Sequence, residues 1–131
     1  MRTEWRHSVS MRSLEHLDAY RLGRELAVAA YRMSRVAPLS QHPIVADQIG
    51  RAAISIPANV AEAFALGTPR QLVRGVRIAF GSAVELKTHF WVAARVDALP
   101  TGPIVEQTAA DLERVTSMLV GLLKRYGGRR V

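Results

Sequence analysis

Apolar residues recur every three or four positions through most of this chain, which is the spacing of one face of an amphipathic helix. The pattern predicts four helices, over about 14–36, 43–66, 68–96 and 104–126. No segment shows the apolar and polar alternation between turn residues that is typical of strands. The predicted fold class is therefore all-α.

Each predicted helix has an apolar stripe that we expect to form the core. Because the connections are short, the helices should pack as an antiparallel, up-down-up-down four-helix bundle. The four stripes are Leu22, Leu26, Ala29, Met33 and Val36; Val45, Ile49, Ala52, Ile56, Val60 and Phe64; Leu72, Val76, Ala79, Ala83, Leu86, Phe90 and Ala94; and Ile104, Thr108, Leu112, Val115, Leu119, Leu122 and Tyr126.

Helix boundaries are marked by proline, glycine and a capping pattern. Pro43 suits the first position of the second helix, and Gly67 suits the position just after its end. Thr68, Pro69 and Gln71 match a capping box at the start of the third helix. Residues 1–13 lack apolar periodicity and are predicted to be a basic flexible arm before one bundle domain (14–126) and a basic tail (127–131).

The first and third helices have apolar residues beyond their core stripes. A helix that is apolar on two sides is usually buried on two sides, which indicates a homo-oligomer. The alternative is that the tyrosines flank the core with their hydroxyls in water. The predicted oligomer interface consists of Leu17, Tyr20, Ala27, Tyr31, Val73, Val84 and Trp91.

The formal net charge is +7, and all but two of the 18 basic residues are arginines. Arginine suits phosphate recognition and interface ion pairs, although a genomic bias in composition would give the same count. The chain has no cysteine, no signal-peptide pattern and no apolar run long enough to cross a membrane. We therefore expect a cytoplasmic protein with no membrane partner.

Two arginine stripes, on the first and third helices, could form one surface for the backbone of RNA or DNA. The alternatives are a solvated face balanced by nearby carboxylates, or salt bridges between subunits. The sequence contains no helix-turn-helix signature and no zinc-finger spacing, so it does not predict sequence-specific recognition of bases. The candidate nucleic-acid-binding residues are Arg21, Arg24, Arg32, Arg35, Arg51, Arg70, Arg74 and Arg77.

Catalytic patterns are absent from the sequence. Glu85 and His89 are four residues apart and could touch, but two side chains do not make a metal site, and a surface pair is the simpler interpretation. There is no phosphate-binding loop and no Gly-x-Ser-x-Gly elbow. We expect no catalytic residue, no metal and no cofactor, and hence a non-enzymatic protein.

Pro57 lies in the middle of the second predicted helix, where proline costs ~3 kcal/mol and should kink or loosen the turn containing Ala53 and Ile54. Ser55 and Asn59 flank it. The simplest role for their side chains is to satisfy backbone groups that the proline disturbs. A ligand-contacting role is the alternative.

The segment from Gln48 to Ala63 resembles the signature of a four-helix-bundle family encoded in intervening sequences of large-subunit ribosomal RNA genes. The motif residues are Ser55, Pro57, Asn59 and Glu62. The segments 17–20 and 78–88 also resemble family motifs, so the likeness covers most of the bundle. This chain departs from the pattern at Gly50, where the family usually has arginine, and at Ala63, where glycine is usual.

The resemblance implies a four-helix bundle that assembles as a ring-shaped homopentamer. Accessory variability proteins of diversity-generating retroelements are related bundles that bind a reverse transcriptase and nucleic acid. In such an assembly Gly81 and Ala83 would allow close helix approach. Arg51 and Glu62 could form ion pairs within or between subunits, whereas Ala63 puts a close backbone approach after Glu62 in question.

Two functions follow. The first is a homo-oligomeric bundle, pentameric by resemblance, that binds nucleic acid and is accessory to an RNA-linked or retroelement enzyme such as a reverse transcriptase. The second is a protein-interaction scaffold whose arginines serve subunit contacts or an acidic protein partner.

Overall fold

The computed structural model describes residues 17–127, without the side chain of Leu66. Across this range the chain forms no β-strand, and its α-helices are α1 (Asp18–Ser34), α2 (Pro43–Leu66), α3 (Pro69–Arg95) and α4 (Pro103–Gly127). The all-α prediction is confirmed. The predicted arm (1–13), the first residues predicted for helix one and the tail beyond Gly127 lie outside the described residues.

The four helices form a bundle in which each packs against two others. The pairs in contact are α1 with α2, α2 with α3, α3 with α4, and α4 with α1. Leu26, Ile49, Ile56, Leu86 and Leu119 are fully buried between them. Burial of a side chain of this kind contributes about 1.5–3 kcal/mol, so the shared core accounts for most of the stability.

The connections also contribute to the core. Leu39 lies in a single turn of 3-10 helix (Leu39–Gln41) between α1 and α2 and is fully buried. Ala98, between α3 and α4, is fully buried as well. Neither was expected from the helical stripes, because helical periodicity says nothing about connections.

The helix boundaries follow the local signals. Gly67 ends α2 with φ of 82°, a left-handed conformation that glycine adopts without strain. Thr68 caps α3, because its hydroxyl oxygen accepts a hydrogen bond from the Gln71 backbone N–H at 3.2 Å. The Thr68 hydroxyl also donates to the Gln71 side chain at 2.7 Å, and Pro69 opens the helix as predicted.

The helix α2 runs through Pro57 from Pro43 to Leu66. The side chain of Pro57 is buried where α2 meets α1, and a Cβ placed on Gly23 would lie 3.7 Å from the Pro57 Cβ. Further along the pair of helices, a Cβ on Gly50 would lie 3.7 Å from the Ser34 hydroxyl. The side chain of Pro57 therefore belongs to the contact between α2 and α1.

Parts of the predicted stripes are wrong. Tyr20 and Ala27 are buried inside the subunit, so they belong to its own core and not to a separate surface face. Conversely, four residues assigned to the core are exposed, and all lie within two residues of a helix end. These are Val36, Ala94, Ile104 and Tyr126.

Candidate nucleic-acid interface

A groove of about 700 Å³ lies where the start of α3 meets the end of α4. We call it the arginine groove. The end of α4 reaches this point because Gly127 packs beside Val73, with 3.6 Å from an added Cβ to the valine Cγ1. Its lining is Pro69, Arg70, Val73, Arg74, Arg77, Ile78, Tyr126 and Gly127.

The arginine groove combines positive charge with apolar surface. Arg70, Arg74 and Arg77 are exposed, and no carboxylate belongs to the lining formed by the described residues. Ile78 and Tyr126 remain 43% and 41% exposed. The first turn of α3 adds the positive end of a helix dipole at Pro69 and Arg70. The groove can therefore bind an anionic ligand that also has apolar faces.

Tyr126 is held in place by two ring contacts. Its ring meets that of Phe64 edge-on, with centroids 5.9 Å apart and planes at 84°. The Arg125 guanidinium lies 5.4 Å from its centroid. A ring fixed in this way loses little conformational freedom when a ligand packs on it.

A second groove, of about 470 Å³, lies between the end of α1 and the start of α2. We call it the Tyr31 groove. It contains Arg35 and Arg51, but also the carboxylate of Asp47, and Gly50 leaves it open. Arg35 lies over the Tyr31 ring at 5.7 Å from the centroid. Mixed charge makes this groove less suited to a polyanion.

The predicted arginines therefore do not form one surface. The two grooves lie at different positions along α2. Gly50 of α2 lines the Tyr31 groove, whereas the arginine groove begins just beyond Leu66, at the end of α2. These two residues are about 24 Å apart along the helix axis. In addition, α1 and α3 lie across the bundle, with α2 and α4 packed between them. The prediction that the two arginine stripes form one surface is therefore wrong within one subunit.

The arginines of α1 have local partners. Arg21 pairs with Asp18, and Arg24 lies over the ring of Tyr20 at 4.6 Å from its centroid. Arg32 is exposed in the last turn. The sequence grouped these residues by helical spacing alone, and the structure divides them among different neighbours.

The exposed apolar surface predicted for an oligomer is concentrated on α3. Trp91 is 59% exposed and Val84 is 44% exposed on its outward side. The Arg95 guanidinium lies 4.5 Å from the Trp91 ring centroid. Of the predicted interface residues on α1, Tyr31 is exposed, whereas Leu17 is partly buried, as is Val73 on α3.

Ser55, Asn59 and Ser82 form a polar cluster between α2 and α3. The Asn59 amide donates to the Ser55 carbonyl at 2.7 Å and to its hydroxyl at 2.9 Å. The Ser55 and Ser82 hydroxyls share a hydrogen bond of 2.7 Å. Pro57 leaves the carbonyl of Ala53 without its helical donor, but Asn59 bonds a different carbonyl. The cluster therefore joins two helices and does not repair the break at proline.

A close approach of α2 and α3 lies one turn beyond this cluster. A Cβ on Gly75 would lie 2.5 Å from the Ala63 Cβ and 2.9 Å from its Cα. The close approach that Ala63 put in question is present, because Gly75 supplies the space from the partner helix. Gly81 faces open space within the subunit, so it allows no close contact there.

Of the two remaining residue pairs, one is exposed, whereas the other includes a partly buried histidine whose Nε2 has no hydrogen-bond partner among the described residues. Arg51 and Glu62 are exposed and about 16 Å apart along α2, too far for an ion pair within one subunit. His89 Nε2 lies 3.8 Å from a Glu85 carboxylate oxygen. Among residues 17–127, no group of acidic, histidine or cysteine side chains is arranged to hold a metal ion.

No helix in the described part of the chain combines the length and apolarity needed to span a bilayer.

Sequence reasoning missed Ile78 and placed Tyr126 in the core, although both line the arginine groove. Ile78 follows Arg77 and Arg74 on the same side of α3, so an exposed apolar residue beside an arginine stripe was a usable signal. No signal in the sequence placed Tyr126 in the groove, because it reaches the groove from α4 and not from α3.

A family model described as 23S rRNA-intervening sequence protein matches residues 15–121. Among curated proteins, none matches the chain. The match covers all but the last residues of α4.

Proposed function

This chain belongs to the 23S rRNA-intervening sequence protein family. We propose that this four-helix protein binds nucleic acid through the arginine groove and acts without catalysis. One observation carries the proposal. Arg70, Arg74 and Arg77 share a groove without a carboxylate in its described lining. Guanidinium groups bind phosphate oxygens through charge-assisted, often bidentate hydrogen bonds.

The net charge of +7 supports the proposal without locating the site. Net charge alone attracts any polyanion to any part of the surface. A local groove makes a sharper claim, because removal of its arginines should matter more than removal of the same charge elsewhere.

The test is fluorescence anisotropy with a labelled 20-nucleotide RNA in about 50 mM KCl, where phosphate contacts are strongest. The triple variant Arg70→Ala/Arg74→Ala/Arg77→Ala should bind at least about tenfold more weakly than the wild type. The slope of log affinity against log salt should fall by about 0.7 for each single-strand phosphate contact that is lost.

The matched control removes three positive charges from the other groove and α1. The variant Arg32→Ala/Arg35→Ala/Arg51→Ala loses the same three positive charges but keeps the arginine groove intact. We therefore expect its affinity for the RNA to stay within about threefold of the wild type. Equal losses in both triple variants would show that only net charge matters. Absence of binding by the wild-type protein would end the proposal.

We further propose that the helices alternate in direction. Contacts between α1 and α2 support this, because Tyr31 and Ser34, late in α1, lie beside Gly50, early in α2. Gly23, early in α1, lies beside Pro57, late in α2. The up-down-up-down order brings the start of α3 beside the end of α4 and so creates the arginine groove.

We propose in addition that the bundle forms a homo-oligomer, a ring-shaped pentamer by family resemblance. Trp91 and Val84 support self-association because they are exposed seven residues apart on one side of α3, and contiguous exposed apolar surface rich in aromatic residues is typical of interfaces. We also propose that the protein is cytoplasmic. There it would act with RNA as an accessory to an RNA-linked or retroelement enzyme such as a reverse transcriptase.

The same exposed tryptophan favours one alternative, a protein-interaction scaffold. In that function the arginines would contact another subunit or an acidic protein partner. Reversal of Arg70, Arg74 and Arg77 to glutamate discriminates the two. Loss of RNA binding with an unchanged oligomer supports the nucleic-acid function, whereas loss of assembly supports the scaffold.

A further inference from the structure

We propose that the arginine groove takes single-stranded nucleic acid in preference to duplex, and that one unpaired base packs against Tyr126 and Ile78. The inference rests on the proposed function, because it names the form of nucleic acid that the same groove binds.

The apolar part of the groove carries the inference. Ile78 and Tyr126 are 43% and 41% exposed, and both belong to the lining together with three arginines. A duplex hides the faces of its bases inside the stack and presents sugars and phosphates to a protein. An unpaired base has a flat apolar face that can cover such side chains, and aromatic residues are its usual platform.

Tyr126 is suited to this role by its rigidity. The edge-on contact with Phe64 fixes the ring, with centroids 5.9 Å apart, while a large part of the side chain remains exposed. Aromatic side chains that are already ordered lose little freedom on binding. Tyr31 is also exposed, but its groove includes the Asp47 carboxylate, which repels phosphate.

The spacing of the cations agrees with one strand. Arg70, Arg74 and Arg77 lie four and three residues apart on α3, which is a row about 10 Å long. The row follows one helix, so it does not reach across a groove to the second strand of a duplex.

The first experiment compares three labelled DNA probes with the wild-type protein in about 50 mM KCl: a 12-nucleotide oligothymidine, an abasic strand of the same length, and a 12-base-pair duplex. Electrostatics alone favours the duplex, because its charge density is higher. We expect the opposite order. Oligothymidine should bind about tenfold or more tightly than the duplex, and about fivefold or more tightly than the abasic strand.

The second experiment uses variants of the ring. Tyr126→Leu should weaken oligothymidine binding by roughly 5- to 150-fold, the range found for the loss of one stacked base, while duplex binding stays within about twofold. Tyr126→Phe keeps the ring and should bind as the wild type does. Tyr31→Leu is the matched control, since it removes a similarly exposed tyrosine from the other groove.

The outcomes separate this inference from the proposed function. Equal or tighter binding of the duplex, or of the abasic strand, would overturn the single-strand inference and leave nucleic-acid binding intact. No binding of any of the three DNA probes would overturn the single-strand inference, and failure to bind the 20-nucleotide RNA as well would overturn both. Binding of a twelve-residue polyglutamate peptide in their place would assign the groove to an acidic protein. The abasic comparison needs no variant, so it decides the matter even if Tyr126→Leu does not fold.

Discussion

Gly75 of α3 packs directly against Ala63 of α2, so that a Cβ on the glycine would lie 2.5 Å from the alanine Cβ and 2.9 Å from its Cα. It would also lie 3.2 Å from the Asn59 carbonyl oxygen. All three are backbone or Cβ atoms of α2, which cannot turn away as the end of a flexible side chain could. This contact sets the distance between α2 and α3 near the arginine groove.

We predict that Gly75→Ala destabilises the protein. Overpacking a helix interface costs about 1–3 kcal/mol, and the fixed position of Ala63 places this site at the upper end of that range. The gain in helix propensity from glycine to alanine offsets about 1 kcal/mol. Urea unfolding followed by circular dichroism should therefore show a net loss of about 1–2 kcal/mol.

The controls for this prediction are two other helical glycines. An added Cβ meets nothing within 4 Å at Gly81, and at Gly50 it meets atoms no closer than 3.7 Å. Gly81→Ala and Gly50→Ala should each stabilise the protein by about 0.5–1 kcal/mol. If Gly75→Ala were equally stabilising, the close approach of α2 and α3 would be wrong.

The Ser55, Asn59 and Ser82 cluster should show coupled energetics. Ser55→Ala and Ser82→Ala each leave a partly or fully buried hydroxyl with fewer partners, which costs about 1–2 kcal/mol. The double variant should cost less than the sum by at least about 0.5 kcal/mol, because the shared hydrogen bond can be lost only once. Denaturant unfolding of the four proteins measures the coupling.

Ser117→Ala is the matched control for the cluster, since Ser117 is an exposed serine of α4. It should change stability by less than about 0.5 kcal/mol. Strict additivity of the two cluster variants would contradict the hydrogen bond between their hydroxyls.

Two variants of the capping residue Thr68 distinguish an effect on stability from an effect on RNA binding. Thr68→Ala removes the acceptor for the Gln71 backbone N–H and should cost about 1 kcal/mol of stability. Thr68→Asp keeps an acceptor and favours the helix dipole, so stability should stay near the wild-type value. It also puts a carboxylate two residues before Arg70, so the affinity for RNA should fall severalfold.

Thermal unfolding and RNA anisotropy on the same samples check this pair. If Thr68→Asp bound RNA as tightly as the wild type, the start of α3 would lie outside the binding surface.

The exposed tryptophan of α3 should control assembly. Trp91→Glu buries a charge in any subunit contact made there, so we expect the protein to sediment as a monomer at micromolar concentration. Ile44→Glu changes an exposed residue at the start of α2 and should leave the oligomer unchanged. Sedimentation velocity measures both.

Tyr31→Glu tests the predicted interface on α1 in the same experiment. If the oligomer dissociated in the Tyr31→Glu variant but not in the Trp91→Glu variant, the subunit interface would lie on α1. A wild-type protein that sediments as a single folded subunit would refute self-association altogether.

Local sequence signals predicted the helices well. Pro43, Gly67 and the Thr68 capping box gave the limits of α2 and the start of α3, because caps and proline act within one turn of chain. Helical spacing also identified most of the core, including Leu26, Ile56 and Leu119.

Spatial relations between helices were less predictable. Tyr20 and Tyr31 have the spacing of one stripe, yet one is buried and the other exposed, because the helices packed on α1 cover its two ends differently. Trp91 remains exposed on α3, so its predicted role in assembly stays a prediction.

By itself, the sequence determined the limits of α2, the start of α3, which arginines share a helix, and that the chain forms an all-α bundle, since these depend on residues within a few turns of one another. Only the tertiary structure decided that Arg70, Arg74 and Arg77 share a groove with Tyr126, and that the arginines of α1 lie elsewhere. The physical reason is that packing fixes which helices are neighbours, and a site made from two helices exists only once they have met.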